Sequence, residues 1–253
     1  MKKISLILCI CISTFYAFSQ DNMKKQYYPD GKLQSDTSYV DGKKNGISKT
    51  YYESGKLESE TPYTEDKING VRKVYWEGGL LNCEAPFTNG NRNGVVKSYY
   101  ESGNLQEESP FTNDTLNGVD KIYYESGKVS DEIPYTNGKK NGVQKNYLEN
   151  GHLHQSTPLT YGKKNGTQIF YFDNSKQIHQ STPFTNDKKN GIQKEYSEDG
   201  KLLKETPYSN DQIDGVYKLY YPNGQVRGKA TYRNGQIIIP YREYYTEDKS
   251  TWK

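Results

Sequence analysis

The chain has 253 residues, a formal net charge of +3 and only 32 % hydrophobic residues, yet 25 of its residues are tyrosine. Near-neutrality with Lys and Glu interspersed excludes a phosphate-binding footprint, so nucleic acid is not expected as a partner. Reliance on a side chain with a large ring and a polar tip suits a thin core with much surface.

Residues 1–19 begin with Lys2 and Lys3, continue with an apolar run from Ile4 to Ile12, and end in the small-x-small triplet Ala17-Phe18-Ser19. This pattern predicts a secretory signal peptide, too short for a membrane span. A lipoprotein anchor at Cys9 or Cys11 is disfavoured, because Leu8 and Ile10 precede them where a small residue is expected. No later segment approaches the ~20 apolar residues of a transmembrane helix. The mature chain is therefore expected to be exported (periplasmic, outer-surface or secreted) with no transmembrane span. Cleavage would leave Cys83 as its only cysteine, so no intrachain disulfide can form.

From residue 20 the sequence repeats. Asn-Gly recurs every 24 residues from Asn45-Gly46 to Asn165-Gly166, then as Asn190-Gly191 after 25, and as Asp214-Gly215 after 24 more. The extra residue lies in FDNSKQI, residues 172–178. The pattern is NG-V-x-K-x-YYESGKL-x-S-x-TPYTNGKK, and such periodicity marks a repeat architecture. Ser54-Gly55, Ser102-Gly103 and their equivalents predict two-residue hairpin turns, as do Asp41-Gly42, Asn89-Gly90 and Asn137-Gly138. At other repeats the second turn relaxes to Glu65-Asp66 or Asn113-Asp114.

The glycine of the later Asn-Gly never varies: Gly46, Gly70, Gly94, Gly118, Gly142, Gly166, Gly191 and Gly215. Counting back from the Asn137-Gly138 turn places Tyr135 opposite Lys140 and Ile133 opposite Gly142. That register predicts that each glycine seats the aromatic ring of the preceding strand, such as Tyr135 at Gly142. Side-chain alternation places Leu57, Thr61, Tyr63, Tyr52 and Gly70 on one, more apolar face. Val71, Lys73, Tyr75 and Glu77 fall on the other, with Glu58 and Glu60 nearby, as a solvated Lys-Tyr-Glu surface. Pro62, Pro86 and their equivalents mark an irregular point in each strand.

The expected fold is all-β: an elongated single-layer antiparallel meander of about nineteen strands, built from about nine 24-residue hairpins spanning residues 20–236. Residues 237–253 form a partial repeat that caps the last edge, which would otherwise invite aggregation.

Tyr52, Trp76, Tyr100, Tyr124, Phe172 and Tyr221 share one position and one face, and form a candidate binding row. Packing within the sheet is the competing role for the same rings. His152, His154 and His179 lack the spacing of a metal site, so no metal, cofactor or catalytic residue is assigned and no enzymatic activity is expected. Cys83 is read as a small packed residue.

YYESGKV at 123–129 and PYTNGKKNG at 134–142 resemble MORN repeats, in the bacterial variant found in proteins named YwqK-family antitoxin components. The resemblance covers nearly the whole mature chain. It implies an elongated sheet with one hairpin per repeat, no catalytic residues, and roles in protein scaffolding or phospholipid attachment. The expected function is a protein-interaction scaffold, antitoxin- or immunity-like by resemblance. A cell-envelope module that binds glycan or lipid headgroups through its aromatic row is the alternative.

Overall fold

A computed structural model describes residues 22–244, so the expected signal peptide and Trp252 lie outside the described residues. All of the regular structure is β: 26 strand segments in one open sheet, each antiparallel to its neighbours along the chain. Seven segments are only two residues long, such as Lys67–Ile68 and Lys139–Lys140, and each is followed after one residue by a six-residue segment, as in Gly70–Tyr75. Joining each short piece to its successor leaves nineteen strands, the expected number.

The Asp41-Gly42 turn and its equivalents are two-residue turns with both residues at positive φ, as in Asn89 (52°) and Gly90 (93°). That is the geometry whose twist matches a right-handed hairpin. Glu65 and Asp66 adopt it without glycine, at 47° and 66°. Aspartate compensates for the strain through a bond no glycine could make. Asp66 Oδ1 accepts the Lys44 amide proton at 2.8 Å, while the Asp66 amide donates to the Lys44 carbonyl at 3.0 Å. The same hook joins Asp114 to Arg92, Asp187 to Lys164 and Asp211 to Lys189. Successive turns are thus stitched along one edge of the sheet.

The other turn differs from its expected form. Gly55 donates to the Tyr52 carbonyl at 2.8 Å, and the Tyr52 amide donates to Lys56 at 2.9 Å. Three residues, not two, lie inside the loop, and only Gly55 has positive φ, at 84°. This is a three-residue hairpin ending in a left-handed glycine.

A one-residue β-bulge follows in each repeat. Thr50 pairs with Ser59 but Tyr51 pairs with Leu57, leaving Glu58 unpaired. Asn82, Gln106, Ser130, His154, His179, Leu203 and Arg227 are its equivalents. An extra residue reverses the facing of what lies beyond it. Leu57 therefore joins Tyr51 on the Lys-Tyr-Glu face, and Glu58 moves toward the Thr61 face. This corrects the alternation expected from sequence.

The Thr61 face carries the buried core: all five buried hydrophobic residues, Ala85, Ile133, Leu159, Phe184 and Ala230, lie on it, among buried Ser59, Thr61, Ser109, Thr157, Thr182 and Thr206. A single layer has no second layer to cover large apolar groups. Small side chains that bond across strands fill its middle, as Thr37–Ser48 and Thr50–Ser59 do at 2.7 Å.

Candidate functional site

The invariant glycines sit in a second irregularity. Tyr135 pairs with Lys140 as expected, yet Glu132 pairs with Lys145, so two extra residues intervene around Asn141 and Gly142. Gly142 adopts φ 122°, and a Cβ there would meet Pro134 Cγ at 2.9 Å. Gly70, Gly94, Gly118, Gly166, Gly191 and Gly215 lie against the equivalent prolines, while Gly46 faces Ser38. The expected aromatic seat is thus replaced by a proline seat. The side chain opposite each glycine comes from the following strand and is an aromatic ring at all but Gly142, which faces Leu159; Gly118–Tyr135 and Gly70–Phe87 are examples. Several of these rings are covered by cations: Lys44 Nζ lies 4.9 Å from the Tyr63 ring centre and the Arg92 guanidinium 4.0 Å from that of Phe111.

The candidate row of aromatics is brought together as expected, on the Thr61 face. The tips of its members serve the next repeat. The Tyr52 hydroxyl donates to the Tyr75 carbonyl at 2.6 Å, Tyr100 to Tyr123 and Tyr124 to Tyr147 at 2.7 Å, and Tyr221 to Tyr244 at 2.8 Å. Trp76 Nε1 donates to the Tyr99 carbonyl at 3.2 Å. These five rings are inter-repeat clamps, Phe172 having no polar tip to make one, and Tyr28 extends the row with the same bond to Tyr51. Tyr100→Phe keeps the ring and removes one clamp. Its expected cost is about 0.5–1.5 kcal/mol in urea unfolding; an unchanged midpoint would leave the hydroxyl no clamping role.

On the opposite face a second ladder runs along the sheet, broken at Tyr171 and Tyr196, where Ser156 and Ser181 stand in place of glutamate. The hydroxyls of Tyr75, Tyr99, Tyr123, Tyr147 and Tyr220 donate to Glu60, Glu84, Glu108, Glu132 and Glu205 at 2.7–3.1 Å. Burial, reinforced by the neighbouring carboxylates, pushes Tyr99, Tyr123 and Tyr220 up to about 12. Burial alone would also raise Glu205, but bonds from Tyr220 and Lys218 outweigh it and hold the carboxyl below its usual range.

Beside this ladder runs a feature that alternation placed on a solvated surface. Ile47, Val71, Val95, Val119, Val143, Ile192 and Val216 are each 41–50 % exposed. The first five and Ile192 each pair with the proline of the following strand, as Val71 does with Pro86. The result is an open Val/Ile–Pro stripe, broken by Thr167 opposite Pro183 and by Thr231 opposite Val216. The residue after each Asn-Gly is visible in sequence as Val or Ile; its membership of a stripe needs the register.

The periodicity breaks once. At the 25-residue unit the loop after Phe172 is one residue longer, with the Phe172 amide donating to Gln177 at 3.0 Å. All three histidines lie near it. His154 Nδ1 lies 3.1 Å from Asp173 Oδ1, and His152 Nδ1 lies 3.2 Å from the Asp173 carbonyl. The bulge separates their surroundings: His154 and His179 line one cleft, His152 another with Leu153 and Tyr147. Cys83 is half-buried, and burial pushes its thiol up, away from nucleophilic character. Among the described residues no three His, Cys, Asp or Glu converge as a metal site, and no helix is long and apolar enough to cross a membrane.

The family described as MORN repeat variant matches residues 20–41, 44–65, 92–113, 116–137, 189–210 and 213–234, together just over half of the chain. No curated protein matches. Among solved structures, the crystal structure of TcdB2-TccC3 aligns at 12 % identity over 86 % of this chain and 16 % of that one, with a TM-score of 0.18. This chain thus spans less than a fifth of that structure's length, and the low score carries no argument.

Proposed function

Since the chain belongs to the MORN repeat variant family, we propose that it is a non-enzymatic, exported scaffold that holds another protein along its sheet. The Val/Ile–Pro stripe carries this reading. Its members are open to solvent at intervals of one repeat, and contiguous exposed apolar surface of this kind marks an interaction site. Rows of Lys and Glu beside it, including Lys49–Glu60 at 3.2 Å and Lys145–Glu132 at 3.2 Å, supply a mixed polar rim.

A net charge of +1 after removal of residues 1–19 argues against anionic lipid as the main partner. Glycan binding through the aromatic row is disfavoured, because the polar tips it would need are engaged in clamps. Neutralising the held protein would be the antitoxin-like form of this role.

The test is capture from envelope and culture fluid by the purified protein, with bound proteins identified by mass spectrometry. A triple substitution of Val71, Val95 and Val119 to Lys, with strand content checked by circular dichroism, should abolish capture of a stoichiometric partner. Capture undiminished by a folded triple variant, or no protein above background, would overturn the proposal.

A further inference from the structure

We propose that the cleft at the irregular repeat binds the guanidinium group of an arginine side chain presented by a protein partner. This rests on the scaffold reading, and names one contact within it on the sheet's other face.

The cleft encloses about 590 Å³ and is lined by His154, Phe170, Phe172, Asp173, His179 and Glu198, among others. It lies where three successive members of the clamp row, Leu148, Phe172 and Ser197, lack a ring with a polar tip. Phe172 has no hydroxyl to send to the next repeat, and Ser197 stands where the next ring would be. The ring of Phe172 turns to His179 instead, with centroids 4.6 Å apart and planes at 35°. His154 meets the edge of Phe170 at 6.0 Å. The two bulge histidines, on adjacent repeats, thus bracket a pair of phenylalanines. At no other bulge does histidine occur.

The chemistry selects a flat cation. Phenylalanine and imidazole faces offer π surface, on which guanidinium stacks better than the strongly hydrated ammonium of lysine. Asp173 and Glu198 occupy the same position in successive repeats and bring two carboxylates to one cleft. His154 fixes the Asp173 carboxylate through its Nδ1, leaving an oxygen edge for a planar donor. A neutral sugar would find the same ring but would not use the paired negative charge.

The three histidines provide the assay. The full chain would be titrated with the peptide acetyl-Gly-Arg-Gly-amide while the ring-proton NMR signals of the histidines are followed. His154 and His179 should shift strongly and saturate; His152, in the other cleft and joined to the site only through the Asp173 carbonyl, should shift far less. The citrulline counterpart, isosteric and uncharged, should bind about fivefold more weakly or less. Glu198→Gln, an exposed change that leaves the sheet intact, should weaken the arginine peptide about threefold or more.

Equal binding of the citrulline peptide, equal shifts of all three histidines, or response to methyl glucoside rather than arginine would overturn the proposal. So would the absence of any shift at millimolar peptide. Protein capture unchanged by Glu198→Gln but lost with the Val71, Val95 and Val119 triple variant would leave the scaffold standing without this contact. Peptide binding without any captured protein would have the opposite meaning.

Discussion

Gly118→Val is expected to destabilise the sheet by about 3 kcal/mol or more, the largest effect of any single change considered. Two causes act together. Gly118 has φ 126°, a conformation that costs a branched residue about 1–3 kcal/mol. Its new Cβ would also sit 2.8 Å from Pro110 Cγ, a proline held in a strand and unable to swing away. Pro110→Ala in the same chain should recover the larger share of the steric part, since it removes Cγ and keeps Cβ at 3.2 Å, and leave the conformational part. Gly127→Ala is the control: φ is also positive, at 83°, but nothing lies within 4 Å, so only about 1 kcal/mol is expected. Repeat arrays lose stability locally, because each unit leans on its neighbours. Hydrogen exchange should therefore show protection lost first between about residues 105 and 147, on either side of the lesion. Equal costs for Gly118→Val and Gly127→Ala would show that the proline seat has no energetic weight.

Asp120→Asn should raise stability at neutral pH. Asp120 is only 5 % exposed and lies in the middle of the Thr61 face. Ser109 Oγ is 2.7 Å from both Asp120 Oδ1 and Glu107 Oε1. A hydroxyl has one proton and can donate to only one of them. The second short contact is favourable only when one of the two acids is itself protonated. Burial raises the Asp120 pKa above 3.8, the Ser109 bond opposes this, and the Glu107 charge adds to the rise; Lys140 is the cation that offsets it in part. Tyr135, raised by its own burial and by both acids, is the remaining titratable neighbour.

A raised folded pKa means that the folded state holds this proton more tightly than the unfolded chain does. The resulting stabilisation is complete below pH 3.8 and is withdrawn as pH rises through the folded value. Asparagine has no such proton to lose. Above that window the variant should exceed the wild type by about 1 kcal/mol, or about 2–4 °C in Tm. Toward pH 3.8 the difference should close. Thermal melts across pH 3.5–8 test this, and a constant offset at all pH values would remove the shared proton from the account.

Both results turn on residues whose type was plain in the sequence and whose neighbours were not. The unvarying Gly118 signalled a backbone requirement, but the seat it serves is formed by Pro110, reached through two extra residues that no simple count across the turn includes. The aromatic row was legible as a row. Its clamps were not, because each bond joins residues 23 apart through a backbone carbonyl. The histidines were legible as a sparse residue type, whereas the bulges that set His154 and His179 on one face and His152 elsewhere lie beyond a period-two reading.

The sequence by itself determined the repeat length, the strand number, the antiparallel meander and the positive-φ turns. Each of these is a local property, written in spacing and in the few residues that tolerate a left-handed backbone. The tertiary structure decided which side chains share a face and what each touches. One bulge per repeat reverses the alternation, a wider one shifts the register at the glycine, and only the assembled ladder of hydrogen bonds fixes where each extra residue is absorbed.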